Sequence, residues 1–349
     1  MDAKSQQRAQ RYVRQQRFGP LGEAGQQRLA GACVALVGCG ALGTTAASLL
    51  ARAGVGHLKL IDRDTVEWSN LPRQTLFTEA DAEAGELKAI AAARQLKEAN
   101  SEIRLEPQVA DLTGANIEEV LEGVDLVLDA TDNFETRYLL NDYCVSRGVP
   151  WIYGAAVGSY GLAFPVLPGR GPCLRCIYPH PPEGVQPTCE TAGVLNTIPA
   201  LVATWQVAWA TRILVDPAVK DLPVRLTTWE SWNFESRQIV VRRDPDCLCC
   251  GNGEYEYLDG SRRRPISLCG RDAVQIHERS ARVDLAAVEA SLVGLGQVKR
   301  NEFALRFTPT PELEQAFREM MVFPDGRAIV KGTTDPKVAR SAYARYLGR

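Results

Sequence analysis

The chain has 349 residues, of which 45% are hydrophobic and 23% charged, and its formal net charge is −2. Because one hydrophobic core rarely serves so long a chain, we expect two domains. The near-neutral charge disfavours nucleic acid as a partner, since neutralising phosphates requires a basic excess. The N-terminus has no apolar signal region, and the longest apolar run is interrupted by Thr, Gln and Arg. We therefore expect a cytoplasmic protein that does not bind a membrane.

The first half of the chain alternates strands with helices. Buried strands are predicted around "ACVALVG", "HLKLID", "IRLEPQVA" and "DLVLDATD", and apolar helices lie between them. This alternation predicts an α/β fold, a Rossmann-like doubly wound parallel sheet with helices on both faces.

The second half predicts a change of architecture. A strand-rich stretch precedes a proline-rich loop, and a long helix from about Pro199 to Val215 and two more strands follow it. The segment "DPDCLCCGNG" has the pattern of a zinc knuckle, and a linker follows it. We therefore expect one domain over residues 1–258 and a small α+β domain over 259–349.

A glycine-rich turn directly follows the first strand. Gly38, Gly40 and Gly43 form a G-x-G-x-x-G motif at the start of a helix, and Asp62 ends the next strand. Glycines let the backbone approach a phosphate at the helix N-terminus, and the carboxylate can accept ribose hydroxyls. The alternative is a turn required only for strand–helix packing. The motif does not distinguish NAD from ATP.

Polar and charged residues crowd the positions just beyond the later strands. Because the carboxyl ends of parallel strands share one edge, these side chains should converge on one crevice. Cationic side chains beside a carboxylate that binds Mg²⁺ suit phosphoryl or nucleotidyl transfer better than hydride transfer. An NAD-dependent oxidoreductase with a structural zinc, and a non-catalytic scaffold, remain as alternatives. The residues concerned are Asp62, Asp64, Asn70, Arg73, Gln74, Lys88, Asp132 and Asn133.

Two C-x-x-C pairs predict a metal site. Cys173 and Cys176 form one pair, and Cys247 and Cys250 form the other. Four thiolates are the usual ligands of a closed, structural Zn²⁺ site, whereas a redox dithiol is the rival interpretation. In "CLCC", Cys249 competes with Cys250 for the second position of its pair.

Cys189 is the remaining cysteine of the proline-rich loop. It precedes the long apolar helix, and a thiol at a helix N-terminus has a lowered pKa and is a competent nucleophile. The alternative is a loop residue without a chemical role.

Seven stretches together carry a family resemblance. They are "RYVRQ", "VALVGCGALG", "LIDRDTVEWSNLPRQTLF", "LDATDN", "CLRC", "TCETAGV" and "CLCC". In this order, over residues 11–250, they resemble the E1-like adenylating enzymes of the ThiF/MoeB/HesA family, which activate ubiquitin-like sulfur-carrier proteins. The resemblance implies that ATP adenylates the C-terminal glycine of a small carrier of MoaD/ThiS type that ends in Gly-Gly. Pyrophosphate is released, and the pathway is molybdopterin, thiamin or related sulfur transfer.

The resemblance also implies roles for individual residues. Asp62 would bind the ribose, Arg73 and Lys88 the phosphates, and Asp132 a Mg²⁺ ion. Asn70 and Gln74 would line the site, and Asp64 matches an acidic position of the family.

Further implications concern partners and the remaining cysteines. Arg14, in "RYVRQ", matches an arginine that reaches the ATP of the other subunit in a homodimer. The two C-x-x-C pairs would bind Zn²⁺. Cys189 would form a thioester or an acyl disulfide with the carrier, with a cysteine desulfurase or a rhodanese as sulfur donor. Because Cys269 is the only cysteine beyond residue 250, the C-terminal domain is not expected to be a rhodanese.

Overall fold

The computed structural model describes residues 10–182, 189, 191–216, 219, 223–259, 267–268, 273–277, 283–301, 304–311, 315–324 and 326–347. The chain divides into two compact units. The first contains Met1–Pro182 and Gly193–Arg262, and the second contains Glu183–Ala192 and Arg263–Arg349. Cys269 lies outside the described residues.

The first unit is built on an eight-stranded sheet in the order β3-β2-β1-β4-β5-β6-β7-β8. Its register aligns Cys33 with His57 and Val34 with Leu126. The strands are β1 Cys33–Val37, β2 His57–Ile61, β3 Arg104–Gln108, β4 Leu126–Asp129, β5 Trp151–Val157, β6 Tyr160–Val166, β7 Arg225–Glu230 and β8 Glu235–Val240.

The sheet is mixed, whereas the alternation of strands and helices predicted a parallel one. Strands β1 to β5 pair in parallel, and β5 to β8 pair antiparallel. The change occurs where the connections shorten, because a turn of two residues joins β5 to β6 and permits only antiparallel pairing.

Helices pack against the sheet, and the buried apolar residues form two clusters. One cluster centres on Val34, Leu36, Leu58 and Leu60, and the other contains Val37 and Val127. Because neighbouring strand residues point to opposite faces, the central strands β1, β2 and β4 are buried on both faces of the sheet. The helices are α1 Val13–Gln16, α2 Gly22–Gly31, α3 Ala41–Ala53, α4 Glu79–Ala84, α5 Lys88–Ala99, α6 Ile117–Val120, α7 Phe134–Arg147, α8 Leu174–Ile177 and α9 Thr197–Val215, with a 3₁₀ turn at Trp68–Asn70.

Among the described residues, α9 is the one helix whose length and composition would permit a membrane span. Its buried side chains include Ile198, Val202 and Ala203, which belong to the core beside the sheet. Its Gln206 donates from Nε2 to the carbonyl oxygens of Asp129, at 2.7 Å, and Ile152, at 3.0 Å. Packing against the sheet therefore accounts for the apolar composition of α9.

The second unit contains a six-stranded antiparallel sheet in the order β11-β12-β13-β14-β10-β9. Two helices pack on its core, which includes Phe307, Met320 and Tyr343. The strand of Glu319–Val322 was absent from the sequence prediction. The elements are β9 Ser267–Leu268, β10 Ala273–His277, α10 Leu285–Leu292, β11 Gly296–Arg300, β12 Leu305–Pro309, β13 Glu319–Val322, β14 Arg327–Lys331 and α11 Pro336–Leu347.

Candidate active site and candidate metal centre

The glycine turn lies between β1 and α3 at the carboxyl edge of the sheet. Gly38 has a φ of +97°, and a Cβ atom there would lie 2.6 Å from the carbonyl oxygen of Ala130. A Cβ atom on Gly43 would overlap the carbonyl oxygen of Gly38. A Cβ atom on Gly40, at the N-cap of α3, would meet no protein atom within 4 Å. Close packing therefore explains why Gly38 and Gly43 are glycines. Gly40 instead leaves open space at the N-terminus of α3.

Asp62 follows β2 and faces this turn. Its Oδ2 accepts the backbone N–H of Cys39 at 2.6 Å, and its Oδ1 accepts that of Asp64 at 2.7 Å. Burial raises the pKa of Asp62, while the charge of Lys88 and the two N–H donors act in the opposite direction. The structure thus holds this carboxylate against the glycine turn.

Asp64 and Lys88 form an ion pair beside Asp62. The Nζ of Lys88 lies 3.4 Å from Oδ2 of Asp64, and the backbone N–H of Lys88 donates to the carbonyl oxygen of Asp64 at 2.8 Å. The side chain of Lys88 is only 7% exposed. Because Lys88 is the first residue of α5, the helix start places its ammonium group at the carboxyl edge of the sheet.

The 3₁₀ turn arranges the next three predicted residues. Asn70 accepts the backbone N–H of Glu67 at 3.1 Å through Oδ1, and its carbonyl oxygen accepts the N–H groups of Arg73 and Gln74. Arg73 donates from Nη1 to the carbonyl oxygen of Ser69 at 2.6 Å. Within the described part of the chain, the buried Oε1 of Gln74 has no hydrogen-bond partner. The turn therefore carries the half-exposed guanidinium of Arg73 and, at Oε1 of Gln74, an acceptor that is available to a ligand.

Asp132 and Asn133 follow β4 and differ in their surroundings. Asp132 is exposed. Asn133 caps α7, because its Oδ1 accepts the backbone N–H of Thr136 at 2.8 Å. The Oδ1 atom of Asn133 therefore caps the helix, and a contact of Asn133 with the nucleotide stays a prediction.

A buried ion pair below this loop was not foreseen from the sequence. Nε of Arg137 lies 3.4 Å from Oδ2 of Asp129, and its Nη2 donates to the carbonyl oxygen of Thr131 at 2.6 Å. The guanidinium lies 5.2 Å from the ring of Phe134 and 5.1 Å from that of Tyr153. Burial raises the pKa of Asp129 and the charge of Arg137 opposes this. In the sequence, the first aspartate of "LDATDN", which is Asp129, was the one indication of this pair.

Arg14 lies apart from these groups. It is exposed on α1, and its neighbour Gln15 donates from Nε2 to the carbonyl oxygen of Ala53 at 2.9 Å. Tyr12 of the same segment packs against Gly54. Arg14 is therefore near the C-terminal end of α3, whereas the glycine turn is at its N-terminal end. A helix of 13 residues separates the two ends by about 20 Å.

The structure brings the four predicted ligands together. The Sγ atoms of Cys173, Cys176, Cys247 and Cys250 all lie within 4.8 Å of one another. Cys173 and Cys247 are 3.6 Å apart, and Cys176 and Cys250 are 3.4 Å apart. These separations are too long for a disulfide, which requires about 2.05 Å. The four thiols form one compact group that can hold a metal ion.

Cys249 lies outside this group, which decides the competition in "CLCC". It is fully buried, and its Sγ lies 3.1 Å from Nδ2 of Asn141. Oδ1 of the same asparagine accepts the backbone N–H of Leu174 at 2.9 Å. Cys249 therefore belongs to the hydrogen-bonded support behind the four thiols.

Cys189 is half-buried and belongs to the second compact unit. The apolar helix α9 begins at Thr197, eight residues after Cys189. The helix field acts only over the first turn. The activation of this thiol by a helix N-terminus stays a prediction.

Comparison with known proteins identifies the family. A model of the ThiF family matches residues 12–249. This chain belongs to the ThiF family. Its relatives include the sulfur carrier protein ThiS adenylyltransferase of Bacillus subtilis, 39% identical over 97% of this chain and 99% of the relative. The SAMP-activating enzyme E1 of Haloferax volcanii is 39% identical over 71% of this chain and 91% of that protein.

Other matches cover about 70% of this ThiF-family chain. The adenylyltransferase and sulfurtransferase MOCS3 of Sus scrofa is 39% identical over 71% of this chain and 54% of that protein. Among solved structures, E. coli MccB with MccA-N7isoASN matches 69% of this chain and 74% of that one. The TM-score is 0.60 at 23% identity, a likeness of fold alone.

Proposed function

We propose that this ThiF-family chain is an ATP-dependent adenylyltransferase that acts on the C-terminal glycine of a ubiquitin-like sulfur-carrier protein. A carboxylate oxygen of the glycine attacks the α-phosphorus of ATP, and pyrophosphate leaves. The product is an acyl-adenylate in the thiamin, molybdopterin or a related sulfur-transfer pathway. Relatives at about 39% identity that bear sulfur-carrier adenylyltransferase names support this assignment.

The observation that carries the proposal is the group at the carboxyl edge of the sheet. Asp62, the Asp64–Lys88 pair and the open N-terminus of α3 at Gly40 are arranged around one turn. Backbone N–H groups and a helix N-terminus favour an anionic phosphate there. Neutralising charge that develops on phosphates is the main task of a nucleotidyl-transfer site.

Five of the predicted side chains have direct roles in this proposal. Lys88 and Arg73 neutralise phosphate oxygens, and Asp62 accepts hydrogen bonds from the ribose. Asn70 and Gln74 line the site, and the unused Oε1 of Gln74 is an acceptor for the nucleotide or the carrier terminus.

Asp132 is the residue that would hold Mg²⁺. It is exposed beside the glycine turn, and carboxylate oxygens are ligands that Mg²⁺ prefers. The ion would supply positive charge to the phosphates. Asn133 and Arg137 keep the loop that carries Asp132 in place, the first by capping α7 and the second through Thr131.

The position of Arg14 favours a homodimer. Its segment lies about 20 Å from the glycine turn of its own subunit, a distance longer than an arginine side chain. If Arg14 contacts ATP, the nucleotide must belong to a second subunit. We therefore assign Arg14 to the site of the partner subunit.

Zinc fits the four-cysteine group. With Zn–S bonds of about 2.3 Å, sulfur atoms at the corners of a tetrahedron are about 3.8 Å apart. The measured separations of 3.4 and 3.6 Å and the upper bound of 4.8 Å agree with that figure. With all four positions taken by thiolates, such a site is structural and joins α8 to the segment that carries Cys247.

Cys189 has a proposed role after adenylation. Its thiolate would attack the acyl-adenylate carbonyl to give a thioester and AMP. Alternatively, the thiolate of Cys189 would take the outer sulfur of a persulfide on a desulfurase or rhodanese, and the donor's thiolate would leave. The new Cys189 persulfide would then attack the acyl-adenylate carbonyl, AMP would leave, and an acyl disulfide would form.

ATP–pyrophosphate exchange tests the function. We expect exchange with a carrier of ThiS or MoaD type ending in Gly-Gly, and none with the same carrier truncated by its last glycine. Failure of every such carrier, while ATP binds, would refute the proposal. Cys189→Ala should retain exchange and lose any covalent carrier adduct, and loss of exchange in the folded variant would contradict this division of roles.

A further inference from the structure

A second group of reactive side chains lies at the opposite edge of the main sheet. Cys33, His57 and Arg104 are the first residues of β1, β2 and β3, and the parallel register places them side by side. The glycine turn follows β1 at its other end. Five residues of strand separate the two edges by about 16 Å. This group is therefore remote from the proposed adenylation site.

Cys33, His57 and the nearby Glu106 of β3 form a continuous hydrogen-bonded chain. The Sγ atom of Cys33 lies 3.2 Å from Nδ1 of His57, and Nε2 of His57 lies 3.1 Å from Oε2 of Glu106. When Nε2 carries the imidazole proton and donates it to Glu106, Nδ1 presents its lone pair to the thiol. A nucleophile, a base and a carboxylate that orients the base are the three parts of a catalytic triad.

The carboxylate is suited to that task. Burial acts to raise the pKa of Glu106, but a hydrogen bond from Gln108, the charge of Lys59 and the contact with His57 together lower it. Glu106 therefore remains ionised at neutral pH and stabilises an imidazolium. Gln108 donates to its Oε1 at 2.7 Å and Arg104 donates to its Oε2 at 2.8 Å.

The thiol itself requires a base. Burial raises the pKa of Cys33; the charges of Lys59 and Arg104 act against this, and those of Asp125 and Glu106 reinforce it. A free thiolate is accordingly scarce, and proton transfer to His57 must accompany attack.

The three groups open into a cavity of about 480 Å³. This volume suits a small ligand. Its walls carry charges of both signs, because its lining residues include Lys59, Arg104, Glu119 and Glu122. The ammonium group of Lys59 is held by the carbonyl oxygens of Val120, at 3.1 Å, and Glu122, at 2.8 Å.

We propose that Cys33, with His57 as base and Glu106 as positioning residue, is a modification site that exchanges with small disulfides carrying both carboxylate and ammonium groups. The thiol proton passes to Nδ1 of His57, and the thiolate attacks one sulfur of the disulfide. The disulfide S–S bond breaks while the Cys33–sulfur bond forms. The leaving thiolate takes the proton from the imidazolium. Cys33 is oxidised to a mixed disulfide, and one equivalent of small thiol is released.

Mass spectrometry of the full-length protein after incubation with oxidised glutathione tests this assignment. We expect peptide mapping to locate a mixed disulfide at Cys33, while the fully buried Cys144 remains unmodified. His57→Gln should slow the reaction of Cys33 at least tenfold and shift its pH–rate profile to higher pH, because attack then requires a preformed thiolate. An uncharged disulfide, bis(2-hydroxyethyl) disulfide, should react at least tenfold more slowly than oxidised glutathione in wild type.

Matched variants separate chemistry from folding. His180 is exposed, so His180→Gln should change nothing. Glu106→Gln, a change near the protein surface, should slow Cys33 even if His57→Gln fails to fold. Absence of Cys33 modification, or equal Cys33 rates in wild type and the folded His57→Gln and Glu106→Gln variants, would overturn the proposed triad. Equal rates with the two disulfides would overturn the assigned ligand class. These measurements do not depend on adenylation.

Discussion

The Nζ atom of Lys88 lies 3.4 Å from Oδ2 of Asp64, at the edge of the sheet where the glycine turn begins. The carboxylate pairs with the ammonium group beside the turn, although the side chain of Lys88 is almost fully buried. A charge so placed is available to phosphates without reorganisation, which is the basis of electrostatic catalysis.

Lys88→Met should therefore lower ATP–pyrophosphate exchange by about 100-fold or more, since removing one preorganised donor costs that much at other transition states. Lys97→Met is the matched control, because Lys97 is exposed on the same helix α5. Exchange rates at saturating carrier measure the effect. Equal rates in the two variants would exclude Lys88 from phosphate binding.

Alanine substitutions at Gly43 and Gly40 should have different effects, the first on folding stability and the second on nucleotide binding. Gly43→Ala places a methyl group on the carbonyl oxygen of Gly38 and should lower the free energy of unfolding by about 2 kcal/mol or more. Gly40→Ala meets no protein atom and should unfold like wild type, but its methyl group occupies the phosphate position and should weaken ATP binding at least tenfold. Urea unfolding and ATP titration provide the two readings. Wild-type ATP affinity in Gly40→Ala would contradict the assignment.

Arg14 should act across subunits. In the proposed homodimer, Arg14→Ala and Arg73→Ala should each abolish exchange activity. Mixing them after reversible dissociation forms heterodimers in which one of the two sites has both arginines. If association is random, about a quarter of wild-type activity should return, because half of the dimers are mixed. No recovery, with mixed dimers demonstrated by mass spectrometry, would show that Arg14 acts within its own subunit or not at all.

Substitutions of the neighbouring residues Cys249 and Cys250 should differ in their effect on zinc binding. Cys250→Ser should abolish stoichiometric zinc binding and lower the melting temperature, because a structural zinc contributes folding free energy. Cys249→Ser should retain zinc, since its Sγ contacts Asn141 outside the four-thiol group. Elemental analysis of the purified variants reports the metal content. Loss of zinc in Cys249→Ser together with its retention in Cys250→Ser would show that Cys249, and not Cys250, is the fourth ligand.

The Asp129–Arg137 pair should contribute strongly to stability. Arg137→Met leaves the fully buried Asp129 without its counter-ion and should cost about 3 to 5 kcal/mol of unfolding free energy. Arg147→Met, on the same helix α7, breaks an exposed pair with Glu118 and should cost less than about 1 kcal/mol. Denaturant unfolding of both variants gives the comparison. Similar small losses in both would mean that the buried pair has no net effect on stability.

Much of the fold and of the candidate site could be predicted from the sequence. The start and end of α9 were predicted within two residues, since its apolar run has clear limits. The glycine motif located the turn because only glycine tolerates the φ of Gly38 and the approach of Gly43. These features depend on neighbours in the chain, and a local pattern therefore reveals them.

Other features depended on contacts between distant segments. The short strand of Glu319–Val322 is buried and lacks clear alternation, so its pairing with β12 and β14 became evident only in the structure. Arg137 has no distinguishing feature in the sequence of α7. Its partner Asp129 lies at the end of β4, so the pair becomes evident only when the packing of α7 against β4 is known.

The sequence by itself determined the chemistry that short motifs encode: a nucleotide turn, a pair of two-cysteine motifs and an alternation of strands with helices. Only the tertiary structure decided that the sheet is mixed and that Cys33, His57 and Glu106 meet. The physical reason is that residue spacing records periodicity within one element. Strand order and register bring together groups separated by 24 and 49 positions, and no local pattern records those.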